Sequence, residues 1–247
     1  MAQVTLYRFN KNNEKFDQST WVSKLESYLV FSRTEHATAL GDLGKAPRGK
    51  LPYAAITAGD APTEMIADSE HVYDTLVSRG IAQELDIDLT AEQKALTVAM
   101  STLVEQLYWL GVKERWIDNF YWARDKGPLR GLVYPMRLFI GQMVWRRISG
   151  VMTVLGHNAR SQEELTTIRT KGLASLSALI GEKKYIHGGD APTRIDAWVF
   201  GFLAASLCTP CEEWNPIMRD SIMSYENLKR YAADIQKEWF PKRPALF

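Results

Sequence analysis

Residues 19–31 read STWVSKLESYLVF, and they follow a short β-rich run, VTLYRF, at residues 4–9. In the longer stretch Trp21, Leu25, Tyr28 and Leu29 recur at the spacing of one helix face, and Ser19 stands where an N-cap belongs. A strand that feeds a helix through a polar loop, here residues 10–18, opens an α/β layer. Working outward, a second strand is expected over residues 35–40, followed by a turn-rich basic segment, GKAPRGKLP, at 44–52. Two short strands are expected at 53–57 and 65–67 around a Gly59-Asp60 turn, then a helix over 69–77. The order β-α-β-loop-β-β-α fills the first eighty or so residues.

After Gly80 the pattern changes. A helical periodicity opens at Thr90 and runs through Leu103, Leu107 and Leu110 to Trp116. Further helices are expected over 129–155, 161–179, 193–207 and 217–239, with no competing strand pattern. A boundary near residues 80–90 therefore separates an α/β domain, residues 1–80, from an all-α domain, residues 90–247.

Among the 247 residues, 46% are hydrophobic and 24% charged, as in ordinary globular proteins. The net charge of +1 predicts no general attraction to nucleic acid or to an anionic membrane. The first residues lack the basic and apolar regions of a signal peptide, and the most apolar run, AWVFGFLAASLC at 197–208, is too short to span a bilayer. A cytoplasmic location with reduced thiols is expected. His36, His71, His157 and His187 show no ligand spacing, so no metal site is expected, and no nucleophile-elbow, P-loop or dinucleotide fingerprint occurs.

Six segments in register carry a resemblance. They are STWVSKLESYL, GKAPRGKLPY, IADSEHVYDTL, EQLYW with an RW pair six residues beyond its tryptophan, APTRIDAWVFGFLA, and NLKRYAADIQKEWFP, spread from residue 19 to residue 241. Together the layout resembles the glutathione S-transferase superfamily, and more narrowly its failed-axon-connections and metaxin-like branch. The resemblance implies a thioredoxin-like N-terminal domain, a helical C-terminal domain, glutathione as cofactor and a homodimer. It implies an enzyme that activates the glutathione thiol, for conjugation to a small hydrophobic electrophile or for an isomerisation or elimination. The branch also allows a non-catalytic interaction module. Metaxins carry a C-terminal apolar tail and this sequence shows none, which weighs against that role as an expectation.

Carried over residue by residue, Ser19 matches the activating serine, whose hydroxyl would donate to the glutathione sulfur. Val22 stands where the resembled motif has a cysteine, which makes mixed-disulfide chemistry there unexpected. Tyr7, on the first strand, is the rival for the thiol. Leu51-Pro52 matches a cis-proline segment, whose Leu51 backbone would pair with the tripeptide like an added strand. Asp68-Ser69 matches the pair that holds the γ-glutamyl end, at a helix start suited to a carboxylate. Arg48 and Lys50 would face the glycine carboxylate. Tyr108, Trp109 and Trp116 are expected along the electrophile cleft, with one of Tyr108 and Trp109 facing the core, and Arg115 is expected to hold an anionic substrate. Thr193 and Asp196 form a capping box at the start of a core helix. The chain's two cysteines lie in CTPC at 208–211. In this layout redox chemistry belongs at residues 19–22, so Pro210 reads as a helix stop and the cysteines as small side chains at a turn.

Overall fold

A computed structural model describes residues 2–10, 14–59, 61–208 and 210–247. Asp60, in the expected turn, and Thr209, within CTPC, lie outside the described residues. Strand β1 (Ala2–Arg8) buries Val4, Leu6 and Arg8 on alternate positions, and helix α1 (Thr20–Phe31) follows it. Strand β2 (His36–Leu40) returns parallel to β1; β3 (Tyr53–Ala58) and β4 (Glu64–Ala67) add antiparallel, giving the order β2-β1-β3-β4. Helix α2 (Ser69–Ser78) closes this thioredoxin-like layer. The connection from β2 to β3, residues 41–52, contains no helix. Val4, Leu6, Ala54, Ile56 and Ile66 of the sheet share a core with Leu25 and Leu29 of α1 and with Val72, Tyr73 and Leu76 of α2.

The remainder is helical. Helix α3 (Ala91–Lys113) starts in a Thr90–Gln93 capping box and runs into a π-helical turn, Glu114–Asp118. A short α4 (Phe120–Asp125) and α5 (Tyr134–Val154) follow. Then come α6 (Gln162–Ile180), α7 (Arg194–Leu207), α8 (Cys211–Trp214), α9 (Pro216–Met223) and α10 (Glu226–Trp239). Two expectations are corrected. The helix expected from residue 129 begins at Tyr134, where Pro135 falls in the first turn and its missing N–H costs nothing. The helix expected over 217–239 is two helices, because the chain breaks at Ser224, whose hydroxyl donates to the Ser221 carbonyl at 2.7 Å.

Helix α7 is the axle of the molecule. Every residue from Ile195 to Leu207 is buried. Gly201 brings it against α1: a Cβ built there would lie 2.6 Å from the Lys24 nitrogen and 2.8 Å from the Lys24 Cα. Only a residue without a side chain lets two helix backbones approach so closely. At the start of α7, the buried Asp196 carboxylate accepts from the Thr193 N–H (2.8 Å), the Thr193 hydroxyl (2.7 Å), the Ile186 N–H (2.8 Å) and the Tyr231 hydroxyl (2.8 Å). The capping aspartate thus also ties down the loop before α7 and helix α10.

Gly201→Ala should cost about 1–3 kcal/mol in denaturant unfolding, because backbone rather than a flexible side chain must give way. Gly150→Ala, with open space around it, should be neutral or stabilise by up to about 1 kcal/mol; equal effects at the two sites would refute the close-approach reading. Asp196→Ala strands four donors and should lose at least about 3 kcal/mol by the same measurement.

Candidate functional site

The sheet register gathers the candidate residues before any side chain is considered. Tyr7 pairs across to Tyr53, and Tyr53 to Ala67, so these three form one row across the sheet. Leu51-Pro52 enters β3 just before that row, Asp68-Ser69 leaves β4 just after it, and the chain that leaves β1 returns at Ser19. A small apolar cluster of Val22, Ala46, Leu51, Tyr53 and Ala67 joins the start of α1 to both segments. The Tyr7 ring stacks on Tyr53 at 4.4 Å with the planes 16° apart.

Ser19 caps α1 loosely: its hydroxyl oxygen accepts the Val22 N–H at 3.4 Å, and its own N–H donates to Asp17 Oδ1 at 2.9 Å. Its hydroxyl proton has no acceptor among the described residues. Asp17 is fully buried, also accepts the Asn10 N–H at 2.9 Å, and lies 3.6 Å from the Arg8 guanidinium. Burial pushes its carboxyl pKa up, against the pull of the two backbone N–H groups and Arg8. Arg8 in turn donates to the Lys15 carbonyl (2.6 Å) and to Glu26 (3.2 Å), and Arg243, near the chain end, clamps Glu26 through both nitrogens at 3.0 and 2.5 Å. The loop before Ser19 therefore hangs on two buried carboxylates and two guanidiniums of balanced charge. Sequence reading missed this cluster. Its one signal is Arg8, which falls on the same inward parity as Val4 and Leu6.

The Leu51–Pro52 peptide is cis. Leu51 is buried, yet neither its N–H nor its C=O makes a hydrogen bond among the described residues. Ser69 is also buried, and its hydroxyl and N–H likewise have no partner among them. Asp68 holds φ at +80°, a left-handed value uncommon outside glycine that concentrates at functional sites. Its Oδ1 accepts from the N–H groups of Glu70 (3.1 Å) and His71 (3.4 Å), and its Oδ2 lies 4.0 Å from the exposed Arg48. Lys50 is exposed.

The aromatic residues expected along an electrophile cleft pack against neighbouring rings. Tyr108 meets Trp21 edge-on at 5.4 Å, and Trp21 leans on Trp198 at 4.8 Å. Trp109 touches Tyr108 at 5.0 Å and its indole N–H reaches Glu105 at 3.4 Å; Trp116 packs edge-on against Trp214 at 5.4 Å. Trp21, Tyr108, Trp109 and Trp116 are each half-buried, and the small cavity bounded by Thr20, Tyr108, Arg115 and Phe202 holds about 10 Å³, room for roughly one water.

Arg115 is corrected most clearly. Glu114 and Arg115 open the π-helical turn and continue the buried face of α3 marked by Val104, Leu107 and Gly111, so both point inward. Arg115 donates to the Gln18 carbonyl (2.8 Å) and the Ala205 carbonyl (2.7 Å), lies 5.2 Å over the Trp214 ring, and approaches Cys211 Sγ at 3.6 Å. Instead of facing a substrate, it ties the residue before Ser19 to the end of α7. Glu114 caps α9 through the N–H groups of Ile217 (2.6 Å) and Met218 (3.0 Å). Cys208 and Cys211 are free, buried thiols at the start of α8, in the helical layer and not at Ser19. Both thiols point at the Ala205 carbonyl, and the neighbouring Cys208 thiol, followed by the Arg115 charge, lowers the Cys211 pKa, while Cys208 itself is pushed up by Cys211 and by burial.

With this geometry in hand, comparison with known proteins is consistent throughout. A family model described as the glutathione S-transferase N-terminal domain matches residues 21–120, and one described as the glutathione S-transferase C-terminal domain matches residues 170–235. Metaxin-1 of Mus musculus is 28% identical over 209 residues, covering 80% of this chain and 62% of that protein. Metaxin-1 of Homo sapiens is 29% identical over 206 residues, covering 80% and 42%. The chain thus spans less than two thirds of the length of these curated relatives. Among solved structures, a glutathione S-transferase from Methylobacterium radiotolerans in complex with glutathione sulfonate aligns with a TM-score of 0.58 at 13% identity, over 98% of this chain and 95% of that one. A glutathione S-transferase from Methylobacillus flagellatus with glutathione bound aligns at 0.54 and 16% identity, over 99% and 100%. From the two domain models, the fold and the metaxin-1 similarity together, the chain belongs to the glutathione S-transferase superfamily, on its metaxin-like branch.

Proposed function

We propose that this chain binds glutathione at the sheet end formed by Ser19, Leu51-Pro52 and Asp68-Ser69, and that Ser19 holds the glutathione sulfur as a thiolate. The observation that carries this reading is the set of unpaired polar groups on buried residues there: the Leu51 N–H and C=O, and the Ser69 N–H and hydroxyl. None of the four has a partner among the described residues, and the Ser69 N–H is one of the free donors of a helix start, so together they offer an edge and a helix N-terminus to a ligand's own donors and acceptors. An extended tripeptide fits them. Its cysteinyl N–H and C=O would complete the Leu51 pair, and its γ-glutamyl carboxylate would take the Ser69 donors at the start of α2. Asp68 would take the ammonium, and Lys50 would supply positive charge for the glycine carboxylate; Arg48, 4.0 Å from Asp68, would have to swing away from it to join Lys50.

The Ser19 hydroxyl proton has no internal acceptor, so it is available to a sulfur anion beside the N-terminus of α1, where the helix dipole favours negative charge. The thiol proton passes to solvent, leaving a nucleophile able to attack an electrophile in the manner of a transferase. A second reading is favoured by the ring contacts among Trp21, Tyr108 and Trp198, which engage with one another the aromatics expected to line an electrophile cleft. On that reading the chain holds glutathione without a built electrophile site and serves in protein contacts, as the metaxin-1 similarity suggests.

Ser69→Ala should weaken glutathione binding by about ten-fold in calorimetry, the worth of a hydrogen bond to a charged group; unchanged affinity would exclude Ser69 from the site. Ser19→Ala should leave affinity nearly unchanged. It should raise the midpoint at which bound glutathione develops thiolate absorbance at 240 nm, and slow any reaction with an aryl halide by on the order of 10- to 100-fold. Identical thiolate titrations in the two proteins would remove Ser19 from the mechanism. A wild-type chain that binds glutathione but never consumes an electrophile supports the second reading.

A further inference from the structure

Helix α5 is apolar on the side that faces water. Only Gly141 and Met152 along its 21 residues are buried, and they fall on one line of the helix. Gly141 meets α4 there, with its missing Cβ 3.2 Å from the Arg124 side chain. On the opposite line, at successive spacings of three or four residues, stand Met136, Phe139, Met143 and then the Arg146-Arg147 pair, with Val154 two turns further on. All are exposed, Phe139 to 69% and Val154 to 87%. Tyr134, at the helix start, is exposed to 66%.

Charge follows the same geography. From Lys126 to Arg160 the chain has six basic residues and no acidic one, whereas the rest has 24 basic and 29 acidic. The whole-chain charge of +1 therefore conceals a strongly cationic segment on an otherwise acidic protein. Arg146 and Arg147 have no ion-pair or hydrogen-bond partner among the described residues.

We propose that the outward stripe of α5 docks the protein on an anionic phospholipid surface, with Phe139, Met136 and Met143 entering the headgroup boundary and Arg146 and Arg147 meeting lipid phosphates. The chemistry fits a lipid surface better than a second copy of this chain. In a two-fold contact through this stripe neither copy would offer a carboxylate to Arg146 and Arg147, since the segment from Lys126 to Arg160 contains none. A helix lying flat with aromatic and aliphatic side chains beneath a basic flank is the arrangement that partitions into a charged interface. The mode is surface attachment, because no described helix is long and apolar enough to cross a membrane. The site lies away from Ser19 and does not depend on glutathione.

The test is co-sedimentation of the purified full chain with vesicles of 70% phosphatidylcholine and 30% phosphatidylglycerol, against pure phosphatidylcholine, at 50 and 300 mM salt. Binding is expected only to the anionic vesicles and is expected to weaken with salt. Each basic side chain near such a surface is worth about five-fold in partitioning, so Arg146→Glu with Arg147→Glu should lower it by at least about 30-fold. Phe139→Ser with Met143→Ser should lower it while leaving the unfolding curve in place. A Lys171→Glu, Lys242→Glu control makes the same change in net charge at exposed sites elsewhere and should retain most of the binding. No binding to anionic vesicles at 50 mM salt would overturn the proposal. So would equal losses in the control and the α5 pair, or concentration-dependent self-association in ultracentrifugation that the Phe139 and Met143 variant abolishes.

Discussion

Helices α1 and α7 touch backbone to backbone at Gly201 and Lys24, and the arrangement of the two layers rests on that contact. Helix α1 carries Ser19 at its start, and α7 is the fully buried centre of the helical part. With no side chain at residue 201, the helices approach closely enough that Trp21 reaches both Trp198 and Tyr108. Those ring contacts hold the two layers together beside Ser19.

Polar groups then fix what packing alone leaves loose. Arg115 spans the seam, one nitrogen on the carbonyl before Ser19 and another on the last turn of α7. Arg194, at the first turn of α7, pairs with Asp74 on α2 at 2.8 Å and with Glu84 in the connection between the layers at 2.6 Å. Arg8, Asp17, Glu26 and Arg243 hold the loop that delivers Ser19. Buried ion pairs of this kind contribute more to placement than to net stability, since desolvation offsets most of their attraction. Their effect here is to preset a serine at a helix start, opposite a backbone edge with unpaired groups.

The elements and their order were legible because they depend on local pattern. The β-rich run at residues 4–9, the cap at Ser19 and the T-x-x-D of Thr193 and Asp196 each encode a boundary within a few residues. The cis-proline, and the convergence of Leu51, Ser69 and Ser19 on one sheet end, followed from resemblance and now have a register that explains them. The direction of Arg115 was open to reading: Val104, Leu107 and Gly111 mark the buried face of α3, and positions 114 and 115 fall on it, but a charged side chain was read as a substrate contact and not as a buried clamp. The buried charge cluster escaped for a different reason: Arg243 and the Glu26 it binds are 217 positions apart along the chain. The cationic face of α5 was hidden by averaging, since a net charge of +1 says nothing of how its sign is distributed.

The central claim is that glutathione completes the unpaired backbone of Leu51 and the donors of Ser69. Amide-resolved NMR of the labelled chain titrated with glutathione tests it most directly. The account predicts that the Leu51 and Ser69 amides shift together, with one dissociation constant, and that the Ser19 amide follows. Amides unmoved at 10 mM glutathione, or shifts confined to the helical layer, would contradict it.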